Sequence, residues 1–324
     1  MVITLSVVVP ATDTPETLGR CTAAISAAAA PPDEVIVVDE PVTLSATAAR
    51  NAGVRQATGE VIVFVDADVE VHPDVFTRIR AAFDTHPLLT AVYGSYDDAP
   101  AVATTVSAFR NLLHHHVHSG GAGPAETFWT GLGAVRRDRF LSVGGFDEDR
   151  YPHPSIEDIE LGRRLIHAGG EIHLDPTIQG THLKRWTMRG MVWTDFARRG
   201  VPWTALQIRE RRASSTLNLG WRHRLSALSC LLVLVGAASA QPFLALGALA
   251  NLVALNHAFY RLLVARLGLV RAVAGIGLHG IHHLTAIAAV GSAIVLVGAQ
   301  ALVESGRISV RRGAGAVPRE QLAP

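Results

Sequence analysis

Val61-Ile-Val-Phe-Val-Asp66-Ala-Asp68 is the stretch that decides the fold. Its five consecutive apolar residues predict a strand that is buried on both faces, as in a parallel sheet covered by helices. Two carboxylates follow where this strand ends, and α/β sheets bind their ligands at the carboxyl ends of their strands. Carboxylate oxygens suit Mg²⁺ or Mn²⁺, so Asp66 and Asp68 predict a divalent-cation site.

The sequence before this stretch alternates between strand and helix patterns. Runs rich in valine and isoleucine at Leu5–Val9 and Glu34–Val38 predict two further buried strands. The alanine-rich segments Thr14–Ala29 and Ser45–Ala57 predict the helices between the strands. Strand–helix–strand repetition indicates an α/β domain with a largely parallel sheet.

Charge is distributed unevenly along the chain. The formal net charge is only +1, which argues against nucleic acid as a partner. Acidic residues are frequent up to Glu210 and then absent until Glu304, whereas arginine persists throughout. The two cysteines, Cys21 and Cys230, indicate neither a disulfide framework nor a zinc site.

The C-terminal third has the composition of a membrane-associated region. Thr187–Arg212 mixes aromatic residues and arginines at helical spacing, which predicts a helix in the membrane interface, with an ordinary surface helix as the alternative. The uncharged segment Leu225–Tyr260 exceeds the ~20 residues that cross a bilayer and is interrupted at Gln241-Pro242. We interpret it as a helical hairpin, one long kinked helix being the alternative. Ala272–Val303 is a second hydrophobic block.

The orientation of these segments is predicted from their charges. The first ten residues lack the basic segment and cleavage site of a signal peptide, so we expect the N-terminal domain in the cytoplasm. The positive-inside rule places Arg222 and Arg224 on the same side. We therefore expect a multi-pass protein of the inner (plasma) membrane with its catalytic domain cytoplasmic. The number of spans stays open, because a single third span would put Arg307, Arg311 and Arg312 outside.

Four parts follow from these patterns: an α/β domain at 1–186, connecting interfacial helices at 187–224, membrane helices at 225–303, and a disordered tail at 304–324. The tail is rich in glycine, arginine and proline, a composition that does not bury a core.

A second pair of carboxylates stands at a predicted helix start, in Ser155-Ile-Glu157-Asp158. Acidic residues are favoured at helix N-termini, which accounts for one carboxylate better than for two. Alternatively, one of the pair is a general base that deprotonates an acceptor hydroxyl. The helix itself is predicted over Asp158–Ala168, where Gly169-Gly170 ends it.

Two further segments combine residues that suit a phosphorylated ligand. In Thr181-His-Leu-Lys-Arg-Trp-Thr187, His182 could complete a metal shell while Lys184 and Arg185 bind phosphoryl oxygens; a basic membrane-edge segment is the alternative. In Trp129-Thr-Gly131-Leu-Gly133, the glycines would let the backbone approach a ligand closely. The segment is not a dinucleotide-binding fingerprint, because it lacks a third glycine that opens a helix.

The run His114-His-His116-Val-His118 suggests a metal site at first sight. However, three consecutive side chains of a helix point in different directions, and no cysteine or carboxylate accompanies them at ligand spacing. We therefore predict an exposed or acceptor-facing helix here.

Taken in order, these motifs resemble the family-2 glycosyltransferases with the GT-A fold, over about Leu5 to Trp186. The resemblance implies a Rossmann-like mixed, mostly parallel sheet flanked by helices, here followed by an all-α membrane region. It also implies a metal-dependent inverting transferase. The segments that carry it are Ser6-Val-Val-Val-Pro10, Asp33-Glu-Val-Ile-Val-Val-Asp39, Ala48-Ala-Arg50-Asn51-Ala-Gly53, Asp66-Ala-Asp68, Gly144-Gly-Phe-Asp147, Glu157-Asp158 and His182-Leu-Lys-Arg-Trp186.

The resemblance also implies a role for each site residue. Asp158 would be the catalytic base, with Glu157 beside it in the acceptor site. Asp68 would bind the metal. Asp66 would contact the sugar or ribose and is a possible further metal ligand. His182 would be a possible third ligand. Gly131 and Gly133 would border the sugar and the acceptor. The remaining positions would surround the donor: Pro10 and Asp39 at the base and ribose, Arg50 and Asn51 near the base or diphosphate, and Lys184, Arg185 and Trp186 as a variant of the Q-x-x-R-W element.

Two departures from the family pattern concern the nucleotide. Members usually have Tyr-Asn after the first proline, where this chain has Ala11, Thr12 and Asp13. The usual acidic turn after the second strand is shortened to Asp39-Glu40-Pro41. The shorter loop leaves the identity of the base undetermined.

The leading hypothesis is sugar transfer from a nucleotide diphosphate sugar to a membrane-associated acceptor, either a lipid-linked or envelope glycan or a polyprenyl phosphate. The expected partners are therefore the donor, this acceptor and membrane lipid, and the expected cofactor is Mg²⁺ or Mn²⁺. A nucleotidyltransferase is disfavoured because Ala11–Glu16 is not a glycine-rich basic loop. A non-catalytic membrane scaffold is supported only by the shortened loop. A transporter is disfavoured because Leu225–Tyr260 carries no charged residue.

Overall fold

The N-terminal domain is built on one mixed sheet. The structure is a computed structural model that describes residues 3–13, 15–211 and 220–314. The eight strands are β1 (Leu5–Pro10), β2 (Glu34–Val38), β3 (Val61–Val65), β4 (Val69–Val71), β5 (Leu89–Tyr96), β6 (Gly123–Pro124), β7 (Leu132–Arg136) and β8 (Glu171–His182). They are arranged in the order β2-β1-β3-β7-β5-β8-β4, with β6 paired to β8.

Parallel and antiparallel pairing are segregated within this sheet. β1 pairs in parallel with β2 and β3, and β5 pairs in parallel with β8. The strand β7 lies antiparallel between β3 and β5. The short strands β4 and β6 pair antiparallel with β8. The predicted α/β class with a mixed sheet is thus confirmed.

Helices flank the sheet and then form the C-terminal region. Those of the α/β domain are α1 (Leu18–Ser26), α2 (Ala46–Gln56), α3 (Val75–Thr85), α4 (Thr105–Ser119), α5 (Arg137–Ser142) and α6 (Glu157–His167). They are followed by α7 (Met188–Trp193), a π-helix (Thr194–Gly200), α8 (Val201–Glu210), α9 (Trp221–Ala238), α10 (Pro242–Leu255), α11 (His257–Leu267) and α12 (Leu269–Ala314).

Helix starts follow local chemistry. The helix α2 begins after Ser45, whose hydroxyl accepts a hydrogen bond from the backbone N–H of Ala48 at 3.1 Å, as an N-cap does. The helix α1 begins at Leu18, later than predicted. Pro15 lies in the turn before it and accepts from the N–H of Leu18 at 3.0 Å. Thr14, the predicted start, lies outside the described residues.

Two apolar layers cover the two faces of the sheet. Because side chains alternate along a strand, Val61 and Val63 pack with the layer under α1 and α3. Ile62 and Phe64 pack with the opposite layer. All four side chains are fully buried. Each contributes on the order of 1.5–3 kcal/mol to folding, which fixes the end of β3 rigidly in the core.

The C-terminal helices are attached to the α/β domain through α4. Phe109 and Leu113 of α4 share one buried cluster with Phe259 and Leu263 of α11 and Leu278 of α12. The two parts therefore share an apolar interface rather than only a chain connection.

The helix α12 has the length and composition of a membrane span. Its segment Leu269–Val303 has 35 residues, and the mean hydropathy of an 18-residue window within it reaches 2.2. Within the described part of the chain no other single helix meets both conditions, although α10 and α11 meet them together across a 76° bend. This helix indicates membrane association. Its backbone continues to Ala314, and positions 315–324 of the predicted tail lie outside the described residues.

The helices α9 and α10 pack against each other, with Pro242 as the first residue of α10. Asn251 donates to the hydroxyl of Ser229 at 2.8 Å, and Asn256 donates to that of Ser226 at 2.8 Å. Hydrogen bonds of this kind satisfy polar groups in an apolar setting.

Gly94 permits the close approach of β5 to β8. A Cβ at this position would overlap the backbone carbonyl oxygen of Ile178, at a point where the register of the two strands is irregular. We expect Gly94→Ala to lower the free energy of unfolding by about 1–3 kcal/mol through overpacking. Thermal unfolding of the full chain in detergent micelles measures the effect. Gly19→Ala in α1 is the control, because a Cβ there meets no atom within 4 Å. Equal unfolding midpoints for the two variants would contradict the prediction.

Candidate active site

The two carboxylates after β3 face different partners. The chain turns there, with the N–H of Val69 donating to the carbonyl of Asp66 at 2.9 Å. Oδ1 of Asp66 lies 2.7 Å from Nη2 of Arg50. Oδ2 of Asp68 lies 3.6 Å from Nε2 of His182 and 3.8 Å from Nζ of Lys184. The structure therefore brings Asp68 together with His182, as the motifs suggested, while Asp66 forms an ion pair with Arg50.

Arg50 connects the two acidic motifs. Its guanidinium, in α2, is buried, and Nη1 lies 3.2 Å from Oε1 of Glu157. Although burial opposes the charged form, the carboxylates of Asp66 and Glu157 raise the pKa of Arg50 above its ordinary value. One buried cation thus holds the end of β3 against the start of α6.

Asp158 is a carboxyl group with a raised affinity for its proton. Oδ1 accepts from the N–H of Ile159 at 2.8 Å, and Oδ2 lies 3.4 Å from the N–H of Thr130. Burial, together with the negative charge of Glu157, raises the pKa of Asp158 to about 7. A carboxyl with this pKa takes and releases a proton near neutral pH, which is what a general base requires.

Asp68 is held ionised by its neighbours. Burial works against its charge, but His182 and Lys184 lower the pKa of Asp68 below its ordinary value. At 3.6 Å the contact between Asp68 and His182 is longer than a hydrogen bond. The two carboxyl groups, Asp68 and Asp158, therefore differ in proton affinity as a metal ligand and a base should.

An aromatic cluster supports His182. The imidazole stacks on the ring of Tyr96, with centroids 4.1 Å apart and planes at 10°. Tyr96 also contacts His114 at 4.3 Å and Trp129 at 4.9 Å between centroids. This packing fixes the plane of the ring beside Asp68.

The helix at His114–His118 is not exposed, so that part of the expectation is wrong, whereas the alternative of an acceptor-facing helix stays a prediction. The helix α4 packs between β5 and the C-terminal helices, and His118 is buried with its Nδ1 2.9 Å from the carbonyl oxygen of Gly94. Burial lowers the pKa of His118 to about 4 and the pKa of His114 well below its ordinary value, so both rings are neutral. Neither ring nitrogen of His114 has a hydrogen-bond partner among the described residues.

The basic segment after β8 surrounds a tryptophan. Nζ of Lys184 lies 5.2 Å from the ring centroid of Trp186, and the guanidinium of Arg110 lies 5.0 Å from it. The backbone N–H of Trp186 donates to the hydroxyl of Ser107 at 2.8 Å. Arg185 is exposed at the surface. The ring of Trp186 thus supports the side chain of Lys184 next to Asp68.

The positions predicted for the nucleoside lie at the ends of neighbouring strands. Pro10 ends β1 and is in register with Val38, the last residue of β2. Asp39 follows directly and is exposed. Both therefore lie at the same edge of the sheet as Asp66 and Asp68.

Asn51 and the two glycines have structural partners. The side-chain amide of Asn51 donates to the carbonyl of Phe146 at 2.9 Å, and its oxygen accepts from the N–H of Phe146 at 3.0 Å. Asn51 therefore fastens the turn that contains Gly144-Gly145. At Gly131 and Gly133, a Cβ would overlap the side chain and the carbonyl of Trp129, respectively. Their contact with a ligand stays a prediction.

The donor atoms of the site fit a divalent cation that is shared with a substrate. Asp68 and His182 provide an oxygen and a nitrogen donor side by side. In the part of the chain that the structure describes, no group of three histidine, cysteine, aspartate or glutamate residues could hold a metal. Such ions often keep one or two protein ligands and complete their shell with substrate phosphates.

Sequence reasoning missed the residues that act by packing. Tyr96 and Arg110 touch the site from β5 and α4, and neither belongs to a motif. The only signal was the histidine run, which marks the helix face that turns toward Tyr96.

Comparisons with known proteins agree with this geometry. The family described as Glycosyl transferase family 2 matches residues 44–116, which include Arg50, Asp66 and Asp68. The N-acetylgalactosaminyltransferase 7 of Drosophila melanogaster is 26% identical over 161 residues, or 43% of this chain. The chain spans only 27% of the length of that relative.

Solved structures share the fold. A mannosyltransferase, PcManGT from Pyrobaculum calidifontis, in complex with GDP-Man and Mn²⁺, superposes with a TM-score of 0.52 at 16% identity, covering 91% of this chain and 88% of that one. A GalNAc-T7 structure with UDP, GalNAc and Mn²⁺ gives 0.43 at 14% identity, covering 64% and 48%, a score too low to support an argument. The GT-A resemblance is confirmed.

The raised pKa of Asp158 predicts a pH-dependent cost in stability. A carboxyl whose folded pKa of about 7 exceeds its unfolded value binds its proton more tightly when folded, so stability is lost as the pH rises through about 7. We expect Asp158→Asn to raise the free energy of unfolding at about pH 8 by roughly 1–3 kcal/mol, less than the full pKa difference implies because water reaches the carboxyl. The gain should shrink as the pH falls toward about 5. Thermal unfolding at the two pH values measures it, and a gain that is independent of pH would contradict the prediction.

Proposed function

Because residues 44–116 match glycosyl transferase family 2 and the chain adopts the GT-A fold, we propose that the protein moves a sugar from a nucleotide diphosphate sugar to a membrane-associated acceptor. The main support for this proposal is the two ion pairs that the buried Arg50 forms with Asp66 and Glu157. Arg50 joins Asp66, beside the candidate metal ligand Asp68, to Glu157, beside the candidate base Asp158. Motifs about 90 residues apart are thereby brought to one edge of the sheet.

The donor would lie across the ends of β1, β2 and β3. Pro10 and Asp39 would flank the nucleoside, with Asn51 and the Gly131–Gly133 segment around the diphosphate and sugar. Lys184 and Arg185 would bind phosphoryl oxygens, since both carry exposed cations next to Asp68. Asp66 would contact the sugar or ribose with the oxygen that Arg50 leaves free.

Asp68 and His182, with Asp66 as a possible further ligand, would hold Mg²⁺ or Mn²⁺. The ion would neutralise the charge that develops on the leaving diphosphate. Trp186 and Tyr96 would keep the neighbouring side chains in place, the first under Lys184 and the second under His182. The protein thus supplies a rigid, positively charged surface for the leaving group.

Asp158 would be the catalytic base of an inverting displacement. It would accept the proton of an acceptor hydroxyl while the hydroxyl oxygen bonds to the anomeric carbon and the bond to the diphosphate breaks. Glu157 is bound to Arg50 and accepts from the N–H of Ser155 at 2.7 Å. From this position Glu157 would hold the start of α6 and border the acceptor.

The membrane helices would bring the acceptor to the site. The apolar helix α12 packs against α4, whose other neighbours line the candidate site, so a lipid-linked or envelope glycan could reach it from the bilayer. A polyprenyl phosphate is the alternative acceptor, for which Lys184 and Arg185 would matter more than Asp158. A multi-pass arrangement in the inner membrane with a cytoplasmic domain is part of this proposal. A non-catalytic scaffold, the alternative of another class, would bind donor without turning it over.

Donor binding is the first test. We would measure binding of UDP-, GDP- and dTDP-sugars to the detergent-solubilised protein with Mn²⁺, with Mg²⁺ and with chelator. We expect metal-dependent binding of one donor, weakened at least about tenfold in Asp68→Ala because a ligand is lost. Asp158→Asn is the matched control and should bind that donor like the wild type. Absence of binding to any donor with either metal would overturn the proposal.

The pH dependence of turnover tests the base. Because Asp158 must be ionised to accept a proton and its pKa is about 7, we expect the rate to fall as the pH drops below about 7. Asp158→Asn should lower kcat by roughly 10²–10⁴-fold and remove this pH dependence. A rate measurement at saturating donor across this pH range checks both. An unchanged profile in the variant would assign the base elsewhere.

A further inference from the structure

Asp195 forms a buried connection between the α/β domain and the membrane helix. It lies in the π-helix, and Oδ1 is 2.8 Å from Nη1 of Arg110 in α4. Oδ2 is 2.8 Å from Nδ1 of His282 in α12. The exposed fractions of the side chains are 7% for Asp195, 10% for Arg110 and 15% for His282. A carboxylate buried to this degree has to be compensated by its partners.

The connection continues from Arg110 to the candidate metal site. The guanidinium of Arg110 lies 5.0 Å from the ring centroid of Trp186, and Nζ of Lys184 lies 5.2 Å from the same ring. Lys184 is in turn 3.8 Å from Oδ2 of Asp68. A series of side-chain contacts therefore leads from α12 to Asp68, with the exposed Lys184 as its last member.

The π-helix itself is seated against α12. It interrupts an otherwise α-helical segment between α7 and α8, and π-helical turns are rare and concentrate at functional sites. A Cβ on Gly200, its last residue, would meet the Cβ of Ala289 in α12 at 2.6 Å. Ser155, just before α6, donates its hydroxyl to the carbonyl of Arg198 at 2.7 Å. The segment thus touches both the membrane helix and the loop before Asp158.

We propose that Asp195 is a positioning residue through which α12 holds Trp186 and Lys184 in place beside Asp68. Without the carboxylate, the buried guanidinium of Arg110 would lose its compensating charge and turn toward water, away from Trp186. Lys184 would then lose the ring that supports it. The assignment of Asp68 to the donor site rests on the proposed function, whereas the mechanical connection does not.

Charge within the cluster agrees with this arrangement. Despite burial, Arg110 and His282 hold the pKa of Asp195 well below its ordinary value. The carboxylate therefore stays ionised over the whole pH range in which the protein would be assayed.

Amide hydrogen exchange of the full-length protein in detergent micelles tests the connection. Two amides report on the segment 182–187: Leu183 donates to the carbonyl of Asp68 at 2.8 Å, and Trp186 donates to Ser107. We expect faster exchange in this segment for Asp195→Asn and for His282→Gln. Exchange of β3 should be unchanged, which verifies that the variant is folded. Arg266→Gln is the matched control, since Arg266 pairs with Asp98 and also joins the C-terminal helices to the α/β domain.

Nucleotide binding is the second readout. In the same three variants we would measure Mn²⁺-dependent binding of GDP and of UDP. We expect Asp195→Asn and His282→Gln to weaken binding by roughly two- to thirtyfold, as substitutions along a packed network do, and Arg266→Gln to leave it unchanged. Asp195→Glu, which keeps the charge, should recover part of the loss.

The outcomes separate the two hypotheses. If the wild type binds neither nucleotide and also binds none of the UDP-, GDP- and dTDP-sugars with either metal, the proposed function fails, while hydrogen exchange still decides the positioning role. If exchange at 182–187 and nucleotide affinity are both as in the wild type for the two variants, the positioning role is overturned and the proposed function stands. If Asp195→Asn loses the protection of β3, His282→Gln decides, because it leaves the pair of Arg110 and Asp195 intact.

Discussion

The buried guanidinium of Arg50 is the constraint on which the candidate site depends. A buried cation requires compensating charge, and Asp66 and Glu157 form ion pairs with it. Satisfying this requirement fixes the distance between the end of β3 and the start of α6. Asp158, the next residue along the chain, is half-buried, and the negative charge of Glu157 adds to the effect of burial in raising its pKa.

The turn that follows β3 divides the work between Asp66 and Asp68. One carboxylate faces Arg50 and completes the internal charge balance, and the other faces His182 and Lys184. A lone aspartate could not do both. The motif therefore contains one carboxylate with a structural partner, Asp66, and one, Asp68, whose basic neighbours lower its pKa, whereas burial and Glu157 raise the pKa of Asp158.

Features that depend on neighbouring residues in the chain could be predicted from the sequence. The buried strand β3 follows from an unbroken apolar run, and the start of α2 follows from the capping residue Ser45. The roles of His118 and Asp195 could not be predicted, because they are set by the packing of distant elements. Asp195 meets its two partners 85 and 87 residues away in the chain, and no local pattern distinguishes it from a surface aspartate.

The helix α12 likewise has features that the local sequence predicts and others that depend on packing against distant elements. Composition alone identifies α12 as apolar, but a span of ~20 residues suffices to cross a bilayer, and the apolar segment here has 35. The excess length lies against α4 and the π-helix, where His282 reaches Asp195. A polar side chain on an apolar helix is costly unless it is paired, so this contact fixes the depth and rotation of α12 relative to the α/β domain. Membrane attachment and the geometry of the site are therefore set by one shared interface.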